Sequence, residues 1–208
     1  GKKTKDLEEI NKVAKKNTGT KIKFSPNEKF FDNISISISK ICHNLRSKAI
    51  LCPGLTMNLD NQIDKEITKW QYKNGIQEYL QNSLIASECI LAEPYFLDYK
   101  SEQEQITCSV TWTNSSYINI NESFVNLIPT INGGTHVNGL RTGLTEALKE
   151  FCEFRNIIPR NIKITPDDIC NKMSYILSVK IIDPQFSGQT KEKLSSKQCG
   201  SLVSSIIK

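Results

Sequence analysis

One pattern restricts this chain more than any other: a glycine turn that opens directly into a long amphipathic helix. Asn132-Gly133-Gly134-Thr135 is followed by Val137, Leu140, Leu144, Leu148, Phe151 and Phe154, an apolar stripe at helical spacing that must lie against another layer. Paired glycines permit backbone angles that other residues avoid, and Thr135 reads as the N-cap. The helix should stop before Pro159.

The remaining segments supply material to cover that stripe. Asn17-Thr18-Gly19-Thr20 is a turn signal, and Lys21-Ile22-Lys23-Phe24 alternates as a strand does. Ile34, Ile38, Ile41, Leu45 and Ala49 fall on one helical face, with Asp32 as a cap and Pro53-Gly54 as a stop. Residues 55–73 read as two strands around a turn at Asp60-Asn61, and residues 76–84 as a short helix after Asn74-Gly75. Residues 90–96, 106–112 and 124–128 are rich in β-branched and aromatic side chains and read as strands. Thr165-Pro166-Asp167-Asp168 starts a further helix, residues 175–182 form a buried strand, and an amphipathic helix begins near Ser196. Strands mixed with helices on one face predict an α/β chain, more closely an α+β sandwich of two layers.

Composition narrows the class. A chain of 208 residues with 38% hydrophobic and 24% charged residues can bury a core and is not of disordered type. No stretch is apolar for long enough to span a bilayer, and no signal-like segment follows Gly1-Lys2-Lys3-Thr4-Lys5, so a soluble protein is expected. Seven cysteines, odd in number and without paired spacing, suggest a reduced, cytoplasmic setting. The net charge of +5 is modest. Lys2, Lys3, Lys5, Lys12, Lys15 and Lys16 cluster near the start, as a footprint for phosphate or as a solvated face.

Two segments could carry chemistry. The Asn132–Gly139 turn either cradles an anion with its backbone N–H groups or is a tight turn packed for structural reasons, and it matches neither the Walker nor the dinucleotide pattern. The loop Asp183-Pro184-Gln185-Phe186-Ser187-Gly188-Gln189-Thr190-Lys191 gathers an amide, a hydroxyl and an ammonium beside a glycine. Near a nucleotide, such a lysine would stabilise charge that grows on the terminal phosphate. His43, Cys42 and Cys52 do not complete a four-ligand zinc set, and neither His43 nor His136 has a cysteine-nucleophile signature around it.

Several ordered motifs carry a resemblance. Residues 123–143, Ser-Phe-Val-Asn-Leu-Ile-Pro-Thr-Ile-Asn-Gly-Gly-Thr-His-Val-Asn-Gly-Leu-Arg-Thr-Gly, and the loop from Asp183 through Lys191 to Leu194 resemble the B subunits of bacterial type IIA topoisomerases. So do Phe151-Cys152-Glu153-Phe154-Arg155-Asn156-Ile157-Ile158-Pro159-Arg160, Lys48-Ala49-Ile50-Leu51-Cys52-Pro53-Gly54 and Asn17-Thr18-Gly19-Thr20. The likeness is weakest over residues 56–122. DNA gyrase B shares the Gly133–His136 and Gln189–Lys191 elements, whereas Asn126-Leu127-Ile128-Pro129-Thr130 looks more like topoisomerase IV.

The resemblance implies a division: residues 1–24 as the closing strands of an ATP-binding domain of the histidine-kinase and heat-shock-chaperone type, and residues 25–208 as a transducer domain of ribosomal-protein-like fold. It implies that Gln189 and Lys191 touch the γ-phosphate of ATP and that Thr20 lines the nucleotide pocket. Mg would be held by the rest of the ATP domain, whose general-base glutamate, magnesium-binding asparagine and glycine-rich lid have no counterpart here. It further implies a DNA duplex as a partner, with Arg141 as the candidate contact or else a surface salt-bridge or helix-packing arginine, together with a second copy of the B subunit and the topoisomerase's A subunit. The chain alone is expected to be inactive. Ser25 replaces an aromatic residue usual after Phe24, which affects local packing there. A small-molecule kinase of the same superfold is the alternative enzyme reading, though no serine-rich phosphate loop or acidic base is found. A freestanding nucleic-acid module is the alternative binding reading.

Overall fold

The long helix expected from the glycine turn is present in a computed structural model that describes residues 2–85, 87–114, 119–159 and 161–208. It spans Thr135–Phe154 and is one of five α-helices among the described residues, in chain order α1 Ile38–Leu51, α2 Gly75–Ser83, α3 Thr135–Phe154, α4 Pro166–Cys170 and α5 Lys197–Ile207. The strands are β1 Met57–Asn61, β2 Glu66–Trp70, β3 Tyr95–Lys100, β4 Gln105–Trp112, β5 Asn121–Val125, β6 Ile128–Pro129 and β7 Met173–Lys180. The chain divides into two compact units, residues 1–37 and residues 38–208.

Within residues 2–37 the ordered features are local. Asn27 Oδ1 accepts from Lys29 N at 2.9 Å and caps a 3-10 turn, Glu28–Phe30, while Asn33 Oδ1 accepts from Ser35 N at 2.7 Å. Lys3 pairs with Asp6 and Lys5 with Glu8, both in solvent. Lys21-Ile22-Lys23-Phe24, expected as a strand, has no ladder partner among the described residues, and Ile22 and Phe24 are exposed. A strand needs a neighbour to take up its N–H and C=O groups.

In residues 38–208, β7 is the central strand of a five-stranded mixed sheet of order β3-β4-β7-β5-β6. It pairs antiparallel with β4 from Met173↔Trp112 to Lys180↔Gln105, and parallel with β5 from Tyr175↔Asn121 to Val179↔Val125. On one face Met173, Tyr175, Leu177 and Val179 join Ile106, Cys108 and Val110 of β4 under Val137, Leu140 and Leu144 of α3 and Cys199, Val203 and Ile207 of α5. On the other face Ile176 and Phe124 meet Ile50 and Leu51 of α1 and Ile76, Tyr79 and Leu80 of α2. The mixed α/β sheet is the expected class, but helices cover both of its faces where one was expected, because the hydroxyl-bearing face is buried as well. The hydroxyl residues that alternate with the apolar ones, Ser109, Thr111 and Ser174, are 0% exposed.

Several boundaries differ from the sequence reading, each for a local reason. α1 starts at Ile38, because Ser and β-branched residues around Ile34 and Ile36 favour turns and extended backbone, and Asp32 caps nothing. The β1–β2 turn lies at residues 62–65: Asn61 Oδ1 accepts from Ile63 N at 3.2 Å and from Asp64 N at 3.4 Å, so Asp60 and Asn61 end β1. β3 begins after Pro94, which has no N–H to give a ladder. Gly134, with φ 138°, takes the N-cap place of α3, and the Thr135 hydroxyl instead donates to the Ser196 carbonyl at 2.7 Å. Phe151 and Phe154, placed on the buried stripe of α3, are exposed. Thr165 closes a full capping box with Asp168 at the start of α4, as its sequence suggests.

Helices α3 and α5 approach closely through small residues. A Cβ on Gly139 would lie 2.3 Å from the Gly200 carbonyl oxygen, and one on Gly143 would lie 2.7 Å from that of Ser204. A mid-helix glycine normally destabilises by up to about 1 kcal/mol relative to alanine. Here that gain is outweighed by backbone overlap, so Gly139→Ala should lower the urea unfolding free energy by about 2 kcal/mol. An unchanged or raised midpoint would show that the helices can separate without loss.

His136, fully buried, ties α3 to the sheet. Ser123 Oγ donates to the Thr130 carbonyl at 3.1 Å and lies 2.7 Å from Thr130 Oγ1, which lies 3.0 Å from His136 Nε2. With the serine proton committed, the threonine proton goes to Ser123 Oγ, Nε2–H donates to Thr130, and Nδ1 is left as a bare lone pair with no partner. Protonation there would leave a buried cation unpaired, and burial lowers the imidazole from 6.5 to about 4. The unfolded chain therefore takes up a proton that the folded chain refuses as pH falls from 6.5 towards 4, and stability drops over that window. Between pH 7 and pH 5 this group should account for a loss of about 2 kcal/mol in urea unfolding. His136→Gln should flatten that slope, and an equal slope in both proteins would contradict the assignment.

Candidate functional site

The loop after β7 is built on two arms. The chain leaves the sheet at Ile181, turns through Asp183 with φ 48°, and returns through Glu192 and Leu194 to α5. The arms are joined at their base: Ser195 N donates to the Gln185 carbonyl at 2.8 Å, Ser187 N to that of Lys193 at 3.0 Å, and Gln185 N to Ser196 Oγ at 2.8 Å. Residues 188–191 form the tip, closed by Lys191 N donating to the Gly188 carbonyl at 3.1 Å.

The return arm is strapped to the glycine turn. Leu194 N donates to the Gly133 carbonyl at 3.0 Å and Thr135 N to the Leu194 carbonyl at 3.1 Å. Asn132 donates to Glu192 twice, from its backbone N to the carbonyl at 2.9 Å and from Nδ2 to the carboxylate at 3.1 Å. Gly134 is required at this point, since a Cβ would sit 2.3 Å from the Leu194 carbonyl oxygen. The first N–H of α3 is thus taken by protein, and the turn holds a neighbouring segment in place.

At the tip, Gln189, Thr190 and Lys191 are all exposed. Lys191 sits at φ 58°, a left-handed conformation that costs a lysine roughly 1 kcal/mol, and forms no ion pair among the described residues. Its Nζ lies 5.9 Å from the centroid of the Phe186 ring, a contact that steadies the ammonium without neutralising it. Lys191, Phe186, Gln185, Pro184, Asp183, Asn126 and Ile128 line an open concavity of about 590 Å³. A free cation over a wet, partly apolar hollow can receive an anionic group brought from outside.

Within residues 38–208, Arg141 is not among the residues that line this concavity. Arg141 lies further along α3, exposed, close enough to Tyr175 and Cys170 to offset part of the rise that burial gives each of them. Thr20 is exposed within residues 2–37. Arg160 falls outside the described residues. Among the described residues no group of three or more His, Cys, Asp and Glu converges as a metal site, and no helix is long and apolar enough to cross a membrane.

Sequence reasoning missed the turn at Asn126-Leu127, where both residues have positive φ, 48° and 66°. It joins β5 to β6 as a two-residue hairpin and reaches both sides of the fold. Lys48 of α1 donates to the Leu127 carbonyl, with burial lowering its ammonium's affinity for a proton. The signal was present: an asparagine inside a two-residue gap between apolar pairs reads as a type I′ turn.

Known proteins resemble this chain in sequence and in fold. The family described as DNA gyrase B matches residues 75–208. The B subunit of DNA topoisomerase 4 from Salmonella typhimurium is 42% identical over 208 residues, which is all of this chain and 33% of that protein. Its Haemophilus influenzae counterpart is 44% identical over the same span. The B subunit of DNA gyrase from Borreliella burgdorferi is 32% identical over 193 residues, 91% of this chain and 30% of that protein. The chain spans about a third of the length of these curated relatives. Among solved structures, the topoisomerase IV ATP binding domain of Francisella tularensis, in complex with a small molecule inhibitor, superposes with a TM-score of 0.77 at 41% identity. That superposition covers 98% of this chain and 55% of the other. By the match over residues 75–208, the chain belongs to the DNA gyrase B family.

Proposed function

We propose that this chain is the transducer-bearing part of the ATPase half of a topoisomerase IV B subunit, and that its Gln189-Thr190-Lys191 tip senses the γ-phosphate of ATP. The observation that carries the reading is Lys191: an ammonium held out in a left-handed turn, unpaired by any carboxylate among the described residues, on a loop whose two arms are anchored to the sheet and to α3. The topoisomerase 4 B subunits of Salmonella typhimurium and Haemophilus influenzae, at 42% and 44% identity, favour topoisomerase IV over gyrase, although a Rickettsia typhi topoisomerase 4 B subunit at 31% is no more similar than a gyrase B subunit at 32%.

In this reading Lys191 and Gln189 reach the terminal phosphate, Thr20 lines the nucleotide pocket, and the rest of the ATP domain holds Mg. A cation that fits only the triphosphate state gives one domain arrangement a contact that the other lacks, so hydrolysis releases it. The intact protein would be a cytoplasmic type II topoisomerase. Its B subunit would pair with a second copy on binding ATP, assemble with the A subunit, and couple hydrolysis to passage of one DNA duplex through another. Such chemistry supports decatenation of chromosomes and relaxation of supercoils. The sequence division, with ATP-domain strands at residues 1–24 and the transducer from 25 to 208, is kept in outline.

Two substitutions in the intact protein test this. Lys191→Ala should lower kcat for ATP hydrolysis about a hundredfold, the size expected for one lost electrostatic stabiliser. Normal turnover in that variant would rule the assignment out. Arg141→Ala should weaken duplex binding at every sequence alike and reduce the salt slope by about 1, with DNA-independent hydrolysis unchanged. An unaltered salt slope would remove Arg141 from the DNA path.

A further inference from the structure

Strands β5 and β7 run parallel as far as Val125↔Val179, where β5 turns away towards β6. Asn126 N still donates to the Val179 carbonyl at 2.9 Å, but the next position on β7 in phase, Ile181, has lost its backbone neighbour. The Asn126 side chain replaces it. Oδ1 accepts from Ile181 N at 3.0 Å and Nδ2 donates to the Ile181 carbonyl at 2.9 Å, so one amide stands in for a missing peptide group. Two demands meet at this position: a residue that tolerates φ 48°, and a short side chain with both a donor and an acceptor. Asparagine satisfies both.

Ile181 is where the chain leaves the sheet for the loop. The return arm is held by backbone bonds to Gly133 and Thr135, whereas the outgoing arm at residues 181–184 depends on side chains. Among the described residues its hydrogen bonds are those to the Asn126 amide and one from Gln185 Nε2 to the Asp183 carbonyl at 3.3 Å, while the Ile181 side chain packs against the core. Asn126 also lines the concavity with Asp183, Pro184, Phe186 and Lys191. The outgoing arm leads into Phe186, whose ring lies 5.9 Å from the Lys191 ammonium and whose neighbours Gln185 and Ser187 are tied to the return arm.

We infer that Asn126 is a positioning residue for Lys191, setting the take-off of the loop from β7 and so where the ammonium can meet a terminal phosphate. The inference rests on the γ-phosphate reading of Lys191. Asn126→Gly isolates the effect, because glycine adopts the left-handed turn without strain and the position is exposed, so only the amide clamp is removed. In the intact protein this variant should lose roughly tenfold in kcat for ATP hydrolysis, with KM for ATP within about twofold, since misplacement of a stabilising group acts on the transition state. Asn126→Asp keeps the turn and the acceptor but not the donor, and should fall between Asn126→Gly and the wild type. It also carries the test if the glycine variant does not fold.

A double-mutant cycle with Lys191→Ala gives the decisive readout. If Asn126 acts through Lys191, Asn126→Gly should change kcat by less than about twofold in the Lys191→Ala background. Wild-type kcat in Asn126→Gly, or equal losses in both backgrounds, would overturn the positioning role while leaving Lys191 in place. Normal turnover in Lys191→Ala alone would overturn both.

Discussion

The site depends on a single close approach. Gly134 lies so near the Leu194 backbone that a Cβ would fall 2.3 Å from its carbonyl oxygen, and in that contact the first turn of α3 and the return arm of the loop become one piece. Helix α3 is in turn locked to the sheet by the His136–Thr130–Ser123 hydrogen bonds on one side and to α5 by glycine contacts on the other. An exposed lysine at the tip of a long loop would ordinarily sample many positions. Here its base is set by groups that are themselves buried, so the tip is presented by the core and not by the loop's own contacts.

The central strand explains why the anchoring is effective. β7 is buried on both faces and paired along both edges, and the loop begins where it ends. Any displacement of the loop base must be taken up by groups in closely packed surroundings, which resist small shifts and yield between discrete arrangements. That is the mechanical property a sensor of bound phosphate needs. Lys48 on α1, bonded to the Leu127 carbonyl beside Asn126, brings the opposite helix layer to the same turn.

Much of this was legible in residue order. The Gly133-Gly134 pair followed by a periodic stripe announced α3, Thr165-Pro166-Asp167-Asp168 announced α4, and the apolar runs announced β4 and β7. The second helix layer was not, because Ser109, Thr111 and Ser174 alternate with apolar residues and so imitate the wet face of a half-covered strand, although the structure buries them. Thr135 looked like a cap because the criterion weighs side-chain chemistry, while the backbone angle at the true cap, Gly134, is one that glycine reaches readily. The loop carrying Gln189 and Lys191 stood out by its polar groups beside a glycine, while the γ-phosphate role proposed for them rests on the family resemblance. Asn126 was invisible as a site residue, since its partner Ile181 is brought to it by parallel pairing of distant strands, which no local periodicity encodes.

The central claim is that Lys191 distinguishes triphosphate from diphosphate. Its most direct test is the ratio of dissociation constants for ADP and a non-hydrolysable ATP analogue, measured by calorimetry on the intact protein and on its Lys191→Ala variant. The account predicts that the variant binds ADP as the wild type does but loses about tenfold in its preference for the triphosphate, the effect of one charge-assisted contact. Equal weakening of both nucleotides, or of neither, would contradict it.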